Sequence, residues 1–126
     1  MDYVNLSLSG TSTVNKSDLF KEITASYTRH GWKLISVLLK PQTRGELEHF
    51  LEVPVKESAV DALWFSRPSS ESREAWELRL LAENQYALFE TFELDEPEDE
   101  REAARIEMEA RLREKVFGGQ RERLSS

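Results

Sequence analysis

The sequence predicts a single α+β domain, with a mostly antiparallel sheet of five or six strands and two helices packed on it. A helix-period segment near the N-terminus is followed by several short apolar or alternating segments separated by turns, and a long charged helical segment comes last. Such segregated elements favour α+β over a repeated parallel βαβ pattern. We expect the domain to cover residues 1–119 and residues 120–126 to form a frayed tail.

The first two predicted elements are a strand and a helix. Val4, Leu6 and Leu8 alternate with polar residues, as in a half-buried strand. A polar loop over residues 9–13 follows. Apolar side chains then recur at helical spacing, which predicts a helix from about Lys16 to His30.

Gly31 is predicted to end this helix. Glycine adopts the left-handed backbone conformation at little steric cost, and a histidine just before it suits the negative end of the helix dipole. Residues 32–39 are rich in Leu, Ile and Val and are too short for another amphipathic helix after that stop. They predict a central strand that is buried on both faces.

The segment from Pro41 to Val55 allows two interpretations. Residues 41–45 suit a turn, and the side chains after it alternate in the way a second strand requires: Leu47, His49, Leu51, Val53 and Val55. The alternative is a short helix that ends before Pro54, because some of the same side chains also fit helical spacing. The strand is the favoured interpretation.

Three more strands are predicted in the second half of the chain. Residues 61–67 form a short apolar segment that Pro68 would end. Residues 76–80 then alternate between apolar and charged side chains, a turn follows at residues 82–85, and residues 86–92 return. This arrangement is typical of a β-hairpin.

A long helix is predicted from Glu96 or Pro97 to Phe117, just before two glycines. Acidic residues at its start and basic residues towards its end suit the helix dipole. Its apolar residues form two narrow stripes, so it can cover the domain's own sheet and also a second chain. We therefore expect a symmetric homodimer. The predicted partner surface comprises Ile106, Met108, Ala110, Leu112, Val116 and Phe117.

Composition excludes several classes of function. The chain has 39% hydrophobic residues, no cysteine and a formal net charge of −7. Disulfides, thiolate nucleophiles and cysteine metal sites are therefore ruled out, and general nucleic-acid binding is disfavoured. The N-terminus lacks the features of a secretory signal, and no apolar run approaches the roughly 18 residues of a membrane helix. A cytoplasmic protein without a membrane partner is expected.

Chemistry-bearing residues are few. The acidic run over residues 90–102 does not match an EF-hand loop, so no metal or other cofactor is expected. Histidine is the residue type that titrates near neutrality, but His30 and His49 lie in no recognisable motif, and no residue is assigned a catalytic role. The favoured function is a cytoplasmic, non-catalytic interaction or ligand-binding module that recognises a protein or a small molecule.

Two other functions stay open. One is a small-molecule enzyme with a histidine–carboxylate site that uses His49 or His30. A cavity that holds either histidine beside a carboxylate would favour it. The other is an acidic regulatory protein that binds a basic partner, for which salt-sensitive binding would be the sign.

Two segments resemble the small DUF4177-type domains. They are Leu19-Phe20 through His30-Gly31-Trp32-Lys33-Leu34-Ile35-Ser36-Val37, and Ala62-Leu63-Trp64-Phe65-Ser66-Arg67-Pro68. The resemblance covers roughly the first half of the chain, with Lys33 in place of the usual acid and residues 40–60 as an insertion. It implies a helix packed on an antiparallel sheet. That family has no established general activity, so the resemblance implies no catalytic residue.

Overall fold

A computed structural model describes residues 15–125, with side chains described up to residue 118. The predicted first strand, over residues 3–8, lies outside the described residues. The elements in chain order are α1 (Lys16–Arg29), β1 (Lys33–Leu39), α2 (Pro41–Leu47), a 3-10 turn (Glu48–Phe50), β2 (Val55–Glu57), β3 (Ala62–Ser70), β4 (Arg73–Leu80), β5 (Ala87–Glu93) and α3 (Glu98–Ser125).

Among the described residues, the sheet has five strands in the order β2-β1-β3-β4-β5. β1 pairs with β2 in parallel, whereas the β1–β3, β3–β4 and β4–β5 pairs are antiparallel. The predicted α+β class with a mostly antiparallel sheet is therefore confirmed. The β4–β5 hairpin also lies where the alternation of apolar and charged residues predicts it.

The core has two layers, one on each face of the sheet. Successive side chains of a strand point to opposite faces, so Leu63 and Phe65 of β3 contact α1 and α2, while Trp64 contacts α3. Phe20 and Ile23 of α1 are buried in the first layer. The sheet is thus covered by α1 and α2 on one face and by α3 on the other.

The helix-to-strand joint forms as predicted. The side chain of Asn15 caps α1 by accepting hydrogen bonds from the backbone N–H groups of Ser17 and Asp18 at 2.9 and 3.2 Å. Gly31 has a φ of 87°, in the left-handed region. The next amide, that of Trp32, donates back to the carbonyl of Tyr27 at 3.0 Å. The chain can therefore leave α1 and enter β1 within a few residues.

We expect Gly31→Ala to lower the free energy of unfolding by about 1–2 kcal/mol, because an L-residue with a Cβ is disfavoured in the left-handed conformation. A Cβ built at Gly31 meets no atom within 4 Å, so the cost comes from backbone strain alone. Urea unfolding monitored by circular dichroism measures it. Gly45→Ala is the matched control, since Gly45 lies in α2, also has open space around its Cβ and has no positive φ. Equal changes in the free energy of unfolding for the two substitutions would contradict the assignment of the cost at Gly31 to its left-handed backbone.

The prediction for residues 41–55 is wrong in its main part. Residues 41–47 form a helix instead of a turn, and β2 is confined to Val55–Glu57. The cause is a contact distant in sequence. The carboxylate of Asp61 accepts the backbone N–H of Lys40 and the hydroxyl of Thr43, both at 2.8 Å. It thereby binds the start of α2 as the acid of a capping box would.

Three smaller expectations also differ from the structure. β3 continues through Pro68 to Ser70, because β1 reaches only as far as Ser66 and Pro68 therefore lies in an edge segment, where proline is tolerated. α3 runs through the two glycines to Ser125, since the residues after them are good helix formers. Only the second half of β1, Val37–Leu39, is fully buried.

Candidate functional site

The surface of α3 that faces away from the sheet carries an unpaired row of apolar residues. Ala103, Ile106, Ala110 and Phe117 are all exposed, and we call this row the outer stripe. Ile106 retains 49% of its accessible surface and Phe117 retains 38%. Residues three, four and seven apart lie on one side of a helix, so the four side chains share one side of α3, with Arg113 and Glu114 between Ala110 and Phe117.

The structure divides the predicted partner surface into two halves. Met108 and Leu112 are 2% and 0% exposed, and with Val116 they pack against the sheet. Ile106, Ala110 and Phe117 lie on the outer stripe. The sequence shows both stripes but not which of them faces the sheet. Only the second group is available to another molecule.

Charge is distributed unevenly along α3. Acidic residues outnumber basic ones over residues 98–107, and the reverse holds over residues 108–118. Arg101 and Arg105 fold back onto Glu98, at 3.0 and 2.6 Å. The hydrogen bond and charge of Arg105 lower the pKa of the exposed Glu98 carboxyl. The N-terminal half of the helix nevertheless presents an excess of negative charge to solvent.

A buried carboxylate joins α3 to the sheet. Glu109 is 6% exposed, and its two oxygens accept hydrogen bonds from Trp64 Nε1 and Lys56 Nζ, both at 2.9 Å. Trp64 lies on β3 and Lys56 on β2. Each oxygen therefore has a partner on a different strand, and this pairing fixes the rotation of α3 about its own axis. The sequence alone gives Glu109 no distinction from the other acids of the helix.

A cleft of about 280 Å³ lies between α3 and the sheet, beside this pair of hydrogen bonds. Its apolar walls include Ile35, Val55, Trp64, Trp76 and Ile106. The indoles of Trp64 and Trp76 meet edge-to-face at 5.8 Å, and the guanidinium of Arg105 lies 4.6 Å from the centre of the Trp76 ring. The cleft opens next to the outer stripe, because Ile106 belongs to both.

A second buried carboxylate, Asp61, holds one end of the domain together. It is 3% exposed. Besides its two bonds to the start of α2, it lies 3.3 Å from the ammonium of Lys16, which also donates to the backbone carbonyl of Leu81 at 2.6 Å. Its polar partners among the described residues all belong to the fold, so this cluster is structural. An isolated aspartate before an apolar strand gave no sign of it in the sequence.

Among the described residues, neither histidine side chain contacts a carboxylate. His30 Nδ1 is 2.9 Å from the backbone oxygen of Ser26 at the end of α1. His49 is exposed, and its ring stacks on Phe50 at 4.7 Å. A shallow cavity of about 370 Å³ borders His30, with Arg67 and Phe89 among its other walls. The described residues thus bring neither histidine to a carboxylate.

Tyr27 has a raised pKa. Its ring stacks on Phe65 at 4.0 Å, and its hydroxyl donates a hydrogen bond to Glu77. Burial, reinforced by the carboxylate of Glu77, raises its pKa to about 12. It lines a depression of about 720 Å³ between α1 and the β4–β5 turn.

This raised pKa predicts a loss of stability in strong alkali. The unfolded chain releases the tyrosine proton near pH 10, whereas the folded chain holds it until about pH 12. The stabilisation is therefore complete below pH 10 and is lost as the pH rises towards 12. We expect the stability advantage of the native protein over Tyr27→Phe to shrink across that range. A constant difference in urea midpoint between the two proteins from pH 9 to 12 would contradict this expectation.

In the part of the chain that the structure describes, no group of three or more metal-ligating side chains converges, and no helix is long and apolar enough to span a bilayer. The acidic run of residues 90–102 therefore forms no ligand cluster. Its helical part extends along the first turns of α3.

Comparisons with protein-family models, with curated proteins and with solved structures give no match. The resemblance to DUF4177-type domains stays a prediction from the residues that carry it.

Proposed function

We propose that this protein is a non-catalytic interaction module that forms a homodimer through the outer stripe of α3. The observation that carries the proposal is the exposure of Ile106 and Phe117 on a helix whose other apolar stripe is already buried. A helix that needs only to cover its own sheet requires one apolar stripe. The second stripe is explained by a second protein surface. A cytoplasmic location stays a prediction from composition.

A two-fold symmetric interface can form from a narrow apolar surface. In a symmetric dimer the same patch is buried on both chains, so each apolar residue contributes twice. Burying apolar surface gains about 25 cal/mol per Å², so a few half-exposed side chains from two copies contribute several kcal/mol. Ala103 and Ala110 are small, which lets two helices approach closely.

Ala110 lies at the centre of the outer stripe and is exposed in the single chain, so the proposal can be tested there without unfolding the protein. We expect light scattering to give twice the chain mass of 14.6 kDa for the native protein and the chain mass for Ala110→Glu. A glutamate at this position would bury a charge in the dimer. Leu94→Glu is the matched control, because Leu94 is 52% exposed but lies outside α3.

A native protein that stays monomeric throughout a concentration series would overturn the proposal. So would an Ala110→Glu variant that remains dimeric. Circular dichroism and urea unfolding of each variant show whether the fold is intact, which separates loss of association from loss of structure.

A second candidate function is the binding of a small apolar molecule in the cleft between α3 and the sheet. The observation that favours it is the pair of indoles, Trp64 and Trp76, in the wall of a cavity of suitable size for a small ligand. Anilinonaphthalene sulfonate is a convenient probe, since its binding would quench tryptophan emission. We expect saturable quenching that is lost in Val55→Phe, which fills the cleft. Equal quenching in both proteins would reject this function.

No observation on the described residues favours either of the two alternative functions that the sequence leaves open. A histidine–carboxylate enzyme and an acidic regulator of a basic partner both stay predictions. Among the described residues, the carboxylates with long-range hydrogen bonds include Asp61 and Glu109, and their partners belong to the fold and are not the side chains of His30 or His49.

A further inference from the structure

We infer that the two copies of α3 meet antiparallel, with the two-fold axis beside Ala110, so that the acidic half of each helix lies opposite the basic half of the other. The inference rests on the proposed homodimer and names how the second copy sits on the outer stripe. Three properties of the helix support this orientation over the parallel one.

The first property is charge. Residues 98–107 carry an excess of acidic side chains and residues 108–118 an excess of basic ones. A parallel pair would set the two acidic halves side by side, and like charges at close range are unfavourable. An antiparallel pair about Ala110 sets the net-acidic residues 102–107 of each copy against the net-basic residues 113–118 of the other. The helix dipoles favour the same orientation, because each positive end then lies near a negative end.

The second property is side-chain size. Ala103 and Phe117 lie seven residues on either side of Ala110, on the same strip of the helix. With the axis at Ala110, each Phe117 faces the partner's Ala103, so a large side chain meets a small one at both ends of the contact. In a parallel pair, alanine would face alanine and phenylalanine would face phenylalanine. A uniform helix separation cannot pack both of those layers well.

The third property concerns the edges of the contact. With the axis at Ala110, Ile106 faces the partner's Arg113. The methylene stem of this arginine can cover Ile106 while its guanidinium stays in water. Both lie on the same edge of the outer stripe. On the opposite edge, Glu107 lies near the partner's Glu114, a like-charge pair that occurs twice in the symmetric dimer and is screened by solvent because both side chains are exposed. The unfavourable pair is small beside the repulsion between two acidic helix halves in a parallel dimer.

Engineered cysteines distinguish the two orientations cleanly, because the chain has no cysteine of its own. A disulfide requires Cα atoms within about 7 Å of each other. In the antiparallel dimer, position 103 faces position 117, while two copies of position 103 lie about 21 Å apart along the helix. In a parallel dimer these relations are exchanged.

We expect Ala103→Cys and Phe117→Cys to give a disulfide-linked dimer when mixed and oxidised, and little or none when each is oxidised alone. Ala110→Cys, beside the axis, should cross-link by itself. Glu71→Cys, exposed in the β3–β4 turn, is the control for random collision. If Phe117→Cys weakens the dimer, the pair Glu107→Cys and Glu114→Cys tests the same orientation without altering the stripe.

Each outcome bears on a different claim. A native protein that is monomeric by light scattering overturns the proposed function and this inference together. A native dimer in which Ala103→Cys cross-links to itself, and not to Phe117→Cys, overturns only the antiparallel arrangement. Cross-linking of the mixed pair well above the Glu71→Cys control supports both.

Discussion

Asp61→Ala is expected to lower the free energy of unfolding by about 3–5 kcal/mol, the range for removing one partner of a buried ion pair. Asp61 is 3% exposed and accepts the backbone N–H of Lys40 and the hydroxyl of Thr43. The substitution leaves both donors without a partner and removes the counter-charge of Lys16. It also removes the contact that holds the first turn of α2.

Chemical denaturation of the native protein and of three variants measures this effect. Asp61→Asn should cost less than Asp61→Ala, because the amide oxygen can still accept one of the two hydrogen bonds. Asp99→Ala, at the exposed start of α3, is the control and should change stability by no more than about 0.5 kcal/mol. An Asp61→Ala variant within 1 kcal/mol of the native protein would be inconsistent with a structural role for this carboxylate.

Glu109→Ala should cost about 2–4 kcal/mol, since it leaves the buried N–H of Trp64 without an acceptor and opens space under α3. Glu109→Gln should cost less than about 1 kcal/mol. The amide oxygen can still accept from Trp64, and the ion pair that is lost involves Lys56, whose side chain is 62% exposed. The indole bond, rather than the salt bridge, is therefore expected to account for most of the effect.

A double-mutant cycle isolates that bond. Glu109→Ala and Trp64→Phe are compared singly and together, and a coupling of at least 1 kcal/mol is expected, as between residues in direct contact. Lys56→Met is the control for the exposed ion pair. A larger loss of stability in Lys56→Met than in Glu109→Ala would contradict the expectation that the indole bond accounts for most of the effect.

The sequence predicts well the parts of the fold that are specified by neighbouring residues. The helical spacing of α1 and its end at the left-handed Gly31 depend on residues within a few positions of each other. The β4–β5 hairpin likewise joins strands that are adjacent in sequence. Capping, turn chemistry and alternation are local properties, so local patterns are sufficient to find them.

The segment after Lys40 shows where this reasoning fails. Alternation over residues 47–55 favoured a strand, but the start of α2 is held by Asp61, which lies 21 residues after Lys40. A pattern within one segment contains no information about a cap supplied from elsewhere. Tertiary contacts override weak local preferences of this kind.

The sequence predicts the partner surface on α3 only in part, because local patterns do not show which apolar stripe packs on the sheet. The spacing of apolar residues identifies two stripes on α3, but only packing decides that Met108 and Leu112 face the sheet while Ile106 faces solvent. The sequence likewise does not distinguish the buried Glu109 from the exposed acidic residues of the same helix. One signal pointed towards such a residue, because a buried tryptophan needs an acceptor for its N–H group.

The Asp61 cluster also has a consequence for the dynamics of the molecule. Its contacts tie the starts of α1 and α2 to the turn after β4, and the backbone carbonyl of Asp61 itself accepts the amide of Leu81 at 2.9 Å. Segments that share one anchor open together rather than separately. In native-state hydrogen exchange, the amides of Lys40 and Leu81 should therefore exchange with the same opening free energy, as members of one cooperative unit at this corner of the domain.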